Sequence, residues 1–308
     1  MKKVFIDGKA GTTGLRIYER LSSRKDIEIL SLSEEERKDP DMRKKMLNKA
    51  DVAFLCLPDE AAIQAVSMVE NENTVIIDTS TAHRTSDGWC YAFPELSEKY
   101  QENLKTAKRI AVPGCHASGF IALVYPLIES GYLKKSEKLY CHSITGYSGG
   151  GKKMIAQYEA KDNLLLTAPR QYALTQNHKH LKEMKAICSL EFEPIFCPIV
   201  SDFYSGMLVT VPLFASQLQN ADIEDVKKLY EQKYTTEIVK YTEDDDNDGM
   251  LSAIGNAYKD SMQISVSGNS ERILLTARYD NLGKGASGAA IEALNIVLGQ
   301  CKTKGLEI

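Results

Sequence analysis

Seven cysteines and five histidines are spread over the 308 residues of this chain, and only a few have neighbours that suit chemistry. The stretch AVPGCHASG (111–119) puts Cys115 directly after Pro-Gly, at the mouth of an apolar run, ASGFIALVYPLIESG, that reads as a helix. A thiol at a helix N-terminus faces unpaired amides, which lower its pKa, and the thiolate is the nucleophilic form. The bland alternative is one more small buried hydrophobe. The other six cysteines (56, 90, 141, 188, 197, 301) have no CxxC spacing. An odd, unpatterned set argues against a disulfide framework and against a structural zinc site, so no metal is expected. Cys56 in VAFLCLP and Cys141 in KLYCHSI lie in apolar, strand-like runs and read as packing.

A nucleophilic sulfur needs a proton shuttle, and histidine is the usual one near neutral pH. The histidines are His83, His116, His142, His178 and His180. QNHKHLKEM places His178 and His180 in one short polar segment beside Lys179, Lys182 and Glu183. A lone histidine is more often structural; two together are the better candidates. Arg84, in TSTAHRT just beyond an apolar strand, could clamp a phosphoryl or carboxylate group. The glycine run TGYSGGGKK (145–153) could form an anion-binding nest, with Ser148 as a candidate substrate ligand, or be only a flexible loop.

DGKAGTTGLRI carries Gly8, Gly11 and Gly14 between the first strand and the first helix. Glycines there let backbone amides approach a pyrophosphate at a helix N-terminus. As a bare pattern GxxGxxG is weak, but strand, glycine turn and helix are the required context. An NAD site usually has a carboxylate about 20 residues on, at the end of strand two. Here strand two ends ILSLS and is followed by EEERKD. Arg37 and Lys38 could meet a 2′-phosphate, which favours NADP; the alternative is a solvated charge run. A thiolate beside a nicotinamide suggests the aldehyde dehydrogenases that pass through a thioester.

The surrounding elements must position these groups. KVFID, IEILSL, DVAFLCL, TVIID and RIAVP read as strands, with helical patterns at about 13–22, 41–48 and 59–69 between them. Short apolar strands separated by helices imply a parallel sheet covered on both faces, a doubly wound α/β domain. Beyond residue 116 the strand candidates are longer: EKLYCHSITGYS, FEPIFCPIV, MLVTVPLF, QISVSG and RILLTARYD. Only two helices, 151–162 and 222–233, are expected between them, which reads as a sheet-rich α+β domain. A last helical pattern covers 285–299, and TEDDDNDG (242–249) reads as a solvated acidic loop.

Composition fits two domains at about 100–200 residues each. Hydrophobic residues make up 43% and charged residues 26%, and a net charge of −4 gives no electrostatic case for a nucleic-acid partner. No apolar run approaches the ~20 residues that span a bilayer. MKKVFIDG runs straight into a strand without a signal-peptide core, so a cytoplasmic chain is expected.

VPGCHASG, ITGYSGGGK, DTSTAHR with YAFPEL, and DNLGKGASGAA together resemble the N-acetyl-gamma-glutamyl-phosphate reductases of arginine biosynthesis, in their shorter form. The similarity runs from Gly8 to the C-terminal helix. More distantly the chain resembles the aspartate-semialdehyde and glyceraldehyde-phosphate dehydrogenases. The resemblance implies a Rossmann-type parallel-sheet domain plus a sheet-rich catalytic domain, and NADPH-dependent reduction of N-acetylglutamyl 5-phosphate to the semialdehyde. It makes Cys115 the nucleophile, places Gly8, Ala10, Gly11, Thr12, Thr13 and Gly14 at the cofactor pyrophosphate, and makes Arg84 an anion ligand. Longer members carry His-Arg-His followed by Pro-Glu; HKHLKE keeps both histidines and Glu183, which is placed to orient one of them, but has Lys179 and Lys182. The choice between His178 and His180 stays open. His116 stands where longer members have tyrosine, a further candidate shuttle. GKGASGAA implies that the last helix returns to the cofactor domain, giving 1–116 with 285–308 as the NADP-binding domain and 117–284 as the catalytic and dimerisation domain. A homo-oligomer, dimer or tetramer, is expected. Two alternatives remain: the same chemistry on aspartyl or N-blocked aminoadipyl phosphate, or a non-catalytic NADP-binding regulator.

Overall fold

The computed structural model describes every residue except 244, 245, 247 and 248, so half of the acidic stretch 242–249 lies outside the described residues. The chain divides into two compact units, Met1–Pro113 with Ala286–Leu306, and Gly114–Gly285 with Glu307–Ile308. Cys115 and His116 therefore belong by contacts to the second unit.

In the first unit, β1 (Lys2–Asp7), β2 (Ile27–Leu30), β3 (Val52–Leu55), β4 (Val75–Asp78), β5 (Cys90–Tyr91) and β6 (Arg109–Ala111) form one sheet in the order β2-β1-β3-β4-β6-β5. Every pairing is parallel. Every residue of β3 and β4 is buried, as continuous apolar strands covered on both faces must be. One face (Val4, Ile6, Phe54, Ile77) packs on α1 (Thr12–Ser22) and on the last helix, α9 (Gly288–Val297). The other (Phe5, Ala53, Leu55, Ile76) packs on α2 (Pro40–Lys49) and α3 (Asp59–Ser67). The strand order reverses between β1 and β3, the crevice where doubly wound sheets bind ligands. A helix the sequence did not announce, α4 (Glu98–Thr106), buries only Leu104 and so carries almost no apolar period.

The second unit is built on β7 (Tyr140–Gly146), β8 (Arg170–Gln171), β9 (Ile195–Ser201), β10 (Met207–Phe214), β11 (Val239–Tyr241), β12 (Met262–Gly268) and β13 (Arg272–Tyr279), in the order β11-β12-β13-β10-β7-β9-β8. The sheet is mixed: β7 with β9 and β11 with β12 run parallel, the rest antiparallel. β10 alternates buried and less buried residues along its whole length, whereas β13 is buried on both faces from Leu275 to Tyr279. Val209, Val211, Leu275 and Ala277 are buried, and α5 (Cys115–Glu129) packs on β10 and β13. On the opposite face Tyr140, Ile195 and Leu274 are exposed. α5 is apolar almost all round, as a helix enclosed by its own domain should be. Pro126 inside it cannot donate to Ala122 O, and the Tyr234 hydroxyl, from just beyond α8 (Ile223–Lys233), supplies that hydrogen bond at 2.6 Å. The unit also holds α6 (Gly151–Glu159), opened by the glycine run, and α7 (Lys179–Ile187), a helix formed by the polar segment of the histidine pair.

Candidate active site

Cys115 is the first residue of α5, with Gly114 as its N-cap in extended conformation. Cys115 thus sits in the first turn of the helix, where the partial positive charge of the unpaired amides favours a thiolate. Cys115 is partly exposed, whereas Cys141 and Cys188 are buried and burial pushes both thiols well above the ordinary range. α5 can approach the sheet closely because residue 119 is glycine; a Cβ there would lie 2.7 Å from both Val209 Cγ2 and the Tyr279 hydroxyl. That hydroxyl donates to Cys115 O and accepts the Gly119 N–H at 3.0 Å, fixing the first turn from below.

Three of the five histidines meet around this helix start. The His116 ring centroid lies 6.0 Å from that of His178 and 5.6 Å from that of His180, and His178 and His180 are 4.7 Å apart. His178 is the N-cap of α7, its Nδ1 accepting the His180 N–H at 3.2 Å. His116 is buried, with Nδ1 2.6 Å from Ser143 Oγ and Nε2 2.6 Å from the Tyr172 hydroxyl. Burial, with the His178 charge second, lowers its pKa to about 3, so it is neutral at working pH. Glu183 is also buried, and its Oε1 accepts the Gly114 N–H at 2.8 Å. Ser148 is fully buried; Asn281 Nδ2 donates to its hydroxyl at 2.9 Å while Asn281 Oδ1 accepts the Gly206 N–H at 3.0 Å. Tyr172, Ser143, Tyr279 and Asn281 were missed by the sequence reading. Only Tyr279 carried a signal there, as a polar-tipped aromatic on the inward side of an alternating strand.

In the first unit, the turn after β1 is as tight as its glycines suggest. Gly8 has φ +86°, and a Cβ on it would fall 2.2 Å from Cys56 O at the end of β3. A Cβ on Gly14 would lie 2.5 Å from Gly8 O. α1 starts directly after its N-cap, Gly11, leaving the first amides of Thr12, Thr13 and Gly14 for an anion. An open groove of about 560 Å³ adjoins the turn, walled by Gly8, Ala10, Ser31, Glu34, Arg37 and Arg43. Arg37 is half-exposed and paired with Glu34 at 2.7 Å; among the described residues Lys38 does not line the groove. A carboxylate does lie at this edge, but at the end of β1: Asp7 is held by Arg43, Nη2 to Oδ2 at 2.8 Å. The spacing rule looks past the first strand and so does not find it. A tight glycine cradle, helix amides and a cation on an adjoining groove fit a dinucleotide phosphate.

Arg84, beyond β4, is buried and aimed by backbone carbonyls, Nε donating to Val112 O at 2.9 Å and Nη2 to Thr79 O at 3.1 Å. Beside it His83 Nδ1 meets buried Asp78 at 2.6 Å and the ring stacks on Trp89 at 4.0 Å.

Comparison with known proteins accords with this chemistry. Residues 33–107 match the semialdehyde dehydrogenase NAD-binding domain and residues 115–281 its dimerisation domain. N-acetyl-gamma-glutamyl-phosphate reductase 2 of a Nostoc species is 44% identical over 99% of both chains. The reductase of a Chelativorans species is 42% identical over 96% of this chain and 98% of its own. Aspartate semialdehyde dehydrogenase II of Vibrio cholerae shares the fold, with a TM-score of 0.75 at 16% identity over 97% of this chain and 98% of that one. Among the described residues no helix is long and apolar enough to cross a membrane. The chain is an oxidoreductase of the semialdehyde dehydrogenase family and belongs to its N-acetyl-gamma-glutamyl-phosphate reductases.

Proposed function

We propose that this chain catalyses the NADPH-dependent reduction of N-acetyl-L-glutamyl 5-phosphate to N-acetyl-L-glutamate 5-semialdehyde and phosphate, in cytoplasmic arginine biosynthesis, through a thioester on Cys115. The observation that carries the reading is a partly exposed thiol on the first residue of α5, followed in the chain by His116, whose ring lies 6.0 Å from that of His178 and 5.6 Å from that of His180. The Cys115 sulfur attacks the acyl carbon, the bond from that carbon to the phosphate oxygen breaks, and phosphate leaves. NADPH, when bound, supplies a hydride to the thioester carbon. His178 or His180 protonates the resulting oxygen and takes that proton back as the hemithioacetal collapses, so that the C=O bond re-forms, the C–S bond breaks and its electron pair returns to sulfur. Covalent catalysis of this kind divides one difficult step into two easier ones.

The remaining assignments follow from where each group is held. Gly8, Ala10, Gly11, Thr12, Thr13 and Gly14 cradle the pyrophosphate, and Arg37, with Lys38 behind it, meets the 2′-phosphate. Arg84 and Ser148 bind the anionic substrate, Arg84 with its guanidinium already oriented by two carbonyls. Glu183 serves the site by holding Gly114. The first unit is the NADP-binding domain and the second the catalytic and dimerisation domain. A second copy of the chain covers the open sheet face, where Tyr140, Ile195 and Leu274 are exposed. The test is NADP reduction with N-acetylglutamate semialdehyde. It should require phosphate and be far slower with aspartate semialdehyde; phosphate-independent or absent turnover overturns the reading.

A further inference from the structure

Lys9, Arg37 and Arg43 all line the groove beside the glycine turn, and each is held differently. Lys9 lies over the ring of Tyr18, its Nζ 3.1 Å from the centroid. The Arg37 side chain is 43% exposed and that of its partner Glu34 86%, so this pair stands in solvent, where ion pairs contribute little. Arg43, one turn into α2, is 13% exposed and its partner Asp7 only 7%. Asp7 ends β1 immediately before Gly8, and its backbone oxygen accepts the Cys56 N–H at 2.8 Å, so the carboxylate stands on a fixed backbone. Arg43 meets it along one edge of the guanidinium, Nη2 donating to Oδ2 at 2.8 Å and Nε to the same oxygen at 3.1 Å. The planar fork is thereby aimed, with its Nη1–Nη2 edge turned away from Asp7. Among the described residues Nη1 has no acceptor. A bare carboxylate on this groove would repel a 2′-phosphate and suit the ribose hydroxyls of NAD instead. Arg43 removes that conflict.

We propose that Arg43 is the residue that selects NADP over NAD: its Nη1–Nη2 edge takes the 2′-phosphate, while its other edge masks Asp7. Arginine suits the task because its fork holds a carboxylate and a phosphate at once, each through charge-assisted hydrogen bonds. Asp7 is a positioning residue, acting on the phosphate only through the guanidinium it aims. Arg37, on the groove wall, adds an attraction that solvent and salt weaken.

The proposal rests on the reading of this groove as the NADP site, and its test is binding alone. Dissociation constants of NADP and of NAD are measured by calorimetry on the full chain, without substrate. The glycine cradle serves both cofactors equally, so the ratio of the two constants isolates the 2′-phosphate. Arg43→Ala should lower the preference for NADP by about tenfold or more, a larger loss than in Arg37→Ala. Asp7→Asn keeps an acceptor for the guanidinium and should hold the wild-type preference or raise it. Asp7→Asn/Arg43→Ala removes the phosphate contact without leaving a bare buried carboxylate, so it stays informative where Arg43→Ala fails to fold. Its preference should fall well below that of Asp7→Asn, yet stay above that of Arg43→Ala because no unmasked charge remains. An undiminished preference in Arg43→Ala, or in the double variant against Asp7→Asn, overturns the proposal. So does a greater loss in Arg37→Ala, or a double variant no better than Arg43→Ala. A wild-type chain that binds NAD as tightly as NADP would instead overturn the cofactor reading itself.

Discussion

Glu183 accepts the amide hydrogen of Gly114 at 2.8 Å, so the helix that begins beside the histidine pair is tied to the residue that caps the cysteine helix. One buried carboxylate thereby sets the spacing of nucleophile and shuttle. Glu183→Ala would leave a buried amide without an acceptor, and we expect a loss of about 1–3 kcal/mol in urea unfolding, together with a lower kcat. Glu183→Gln keeps an acceptor oxygen and should recover most of the stability. If the alanine variant is as stable as wild type, this hydrogen bond does not hold the two helices.

The histidine pair can be separated by substitution. Asparagine is a good N-cap, so His178→Asn should preserve α7 while removing the imidazole. One of His178→Asn and His180→Asn should lower kcat by ~10²-fold or more, the usual scale for a general acid or base, and the other much less. Near-normal turnover in both would remove the pair from the mechanism.

Cofactor choice is read from the groove beside the glycine turn. Arg37 is on its wall, half-exposed, whereas Lys38 is not. Arg37→Ala should shrink the preference for NADP over NAD several-fold, mainly through KM, since a remote contact binds ground and transition states alike. Lys38→Ala should change the ratio little. An unaltered ratio in Arg37→Ala would mean that the pair with Glu34 is only a solvated surface contact.

His116 also predicts a pH dependence of stability. Burial lowers its folded pKa to about 3 from 6.5, so between these values the unfolded chain binds the extra proton. Its contribution is complete above pH 6.5 and is lost as pH falls toward 3, at up to about 1.4 kcal/mol per pH unit. His116→Gln should flatten the stability profile across that window. An equally steep profile in the variant would assign the acid sensitivity to other groups.

Much of the first unit is legible in the sequence because each strand is a short apolar run and two glycines of the turn have a steric reason. Gly8 and Gly14 have no room for a side chain, and that requirement is local. The second unit is less legible where contacts, not periodicity, define the structure. α7 begins with histidine as its cap, an unusual choice, and its polar residues hide the buried Leu181, Glu183 and Met184. Tyr172 meets His116 across 56 residues of chain, and Asn281 meets Ser148 across 133. No spacing rule announces such pairs, since they follow from strand register. Cys115 was readable because its helix-start position is itself a local pattern.

The most direct measurement is of the acyl-enzyme. Wild-type protein incubated with N-acetylglutamyl phosphate without NADPH should gain the N-acetylglutamyl mass on the peptide carrying Cys115, and hydroxylamine should remove it. Cys115→Ser should stay folded, take up no acyl group, and lose at least ~10³-fold in kcat, about 4 kcal/mol of barrier, because a hydroxyl is far less ionised than a thiol. Acyl mass on any other residue, or normal turnover by Cys115→Ser, would contradict the thioester mechanism.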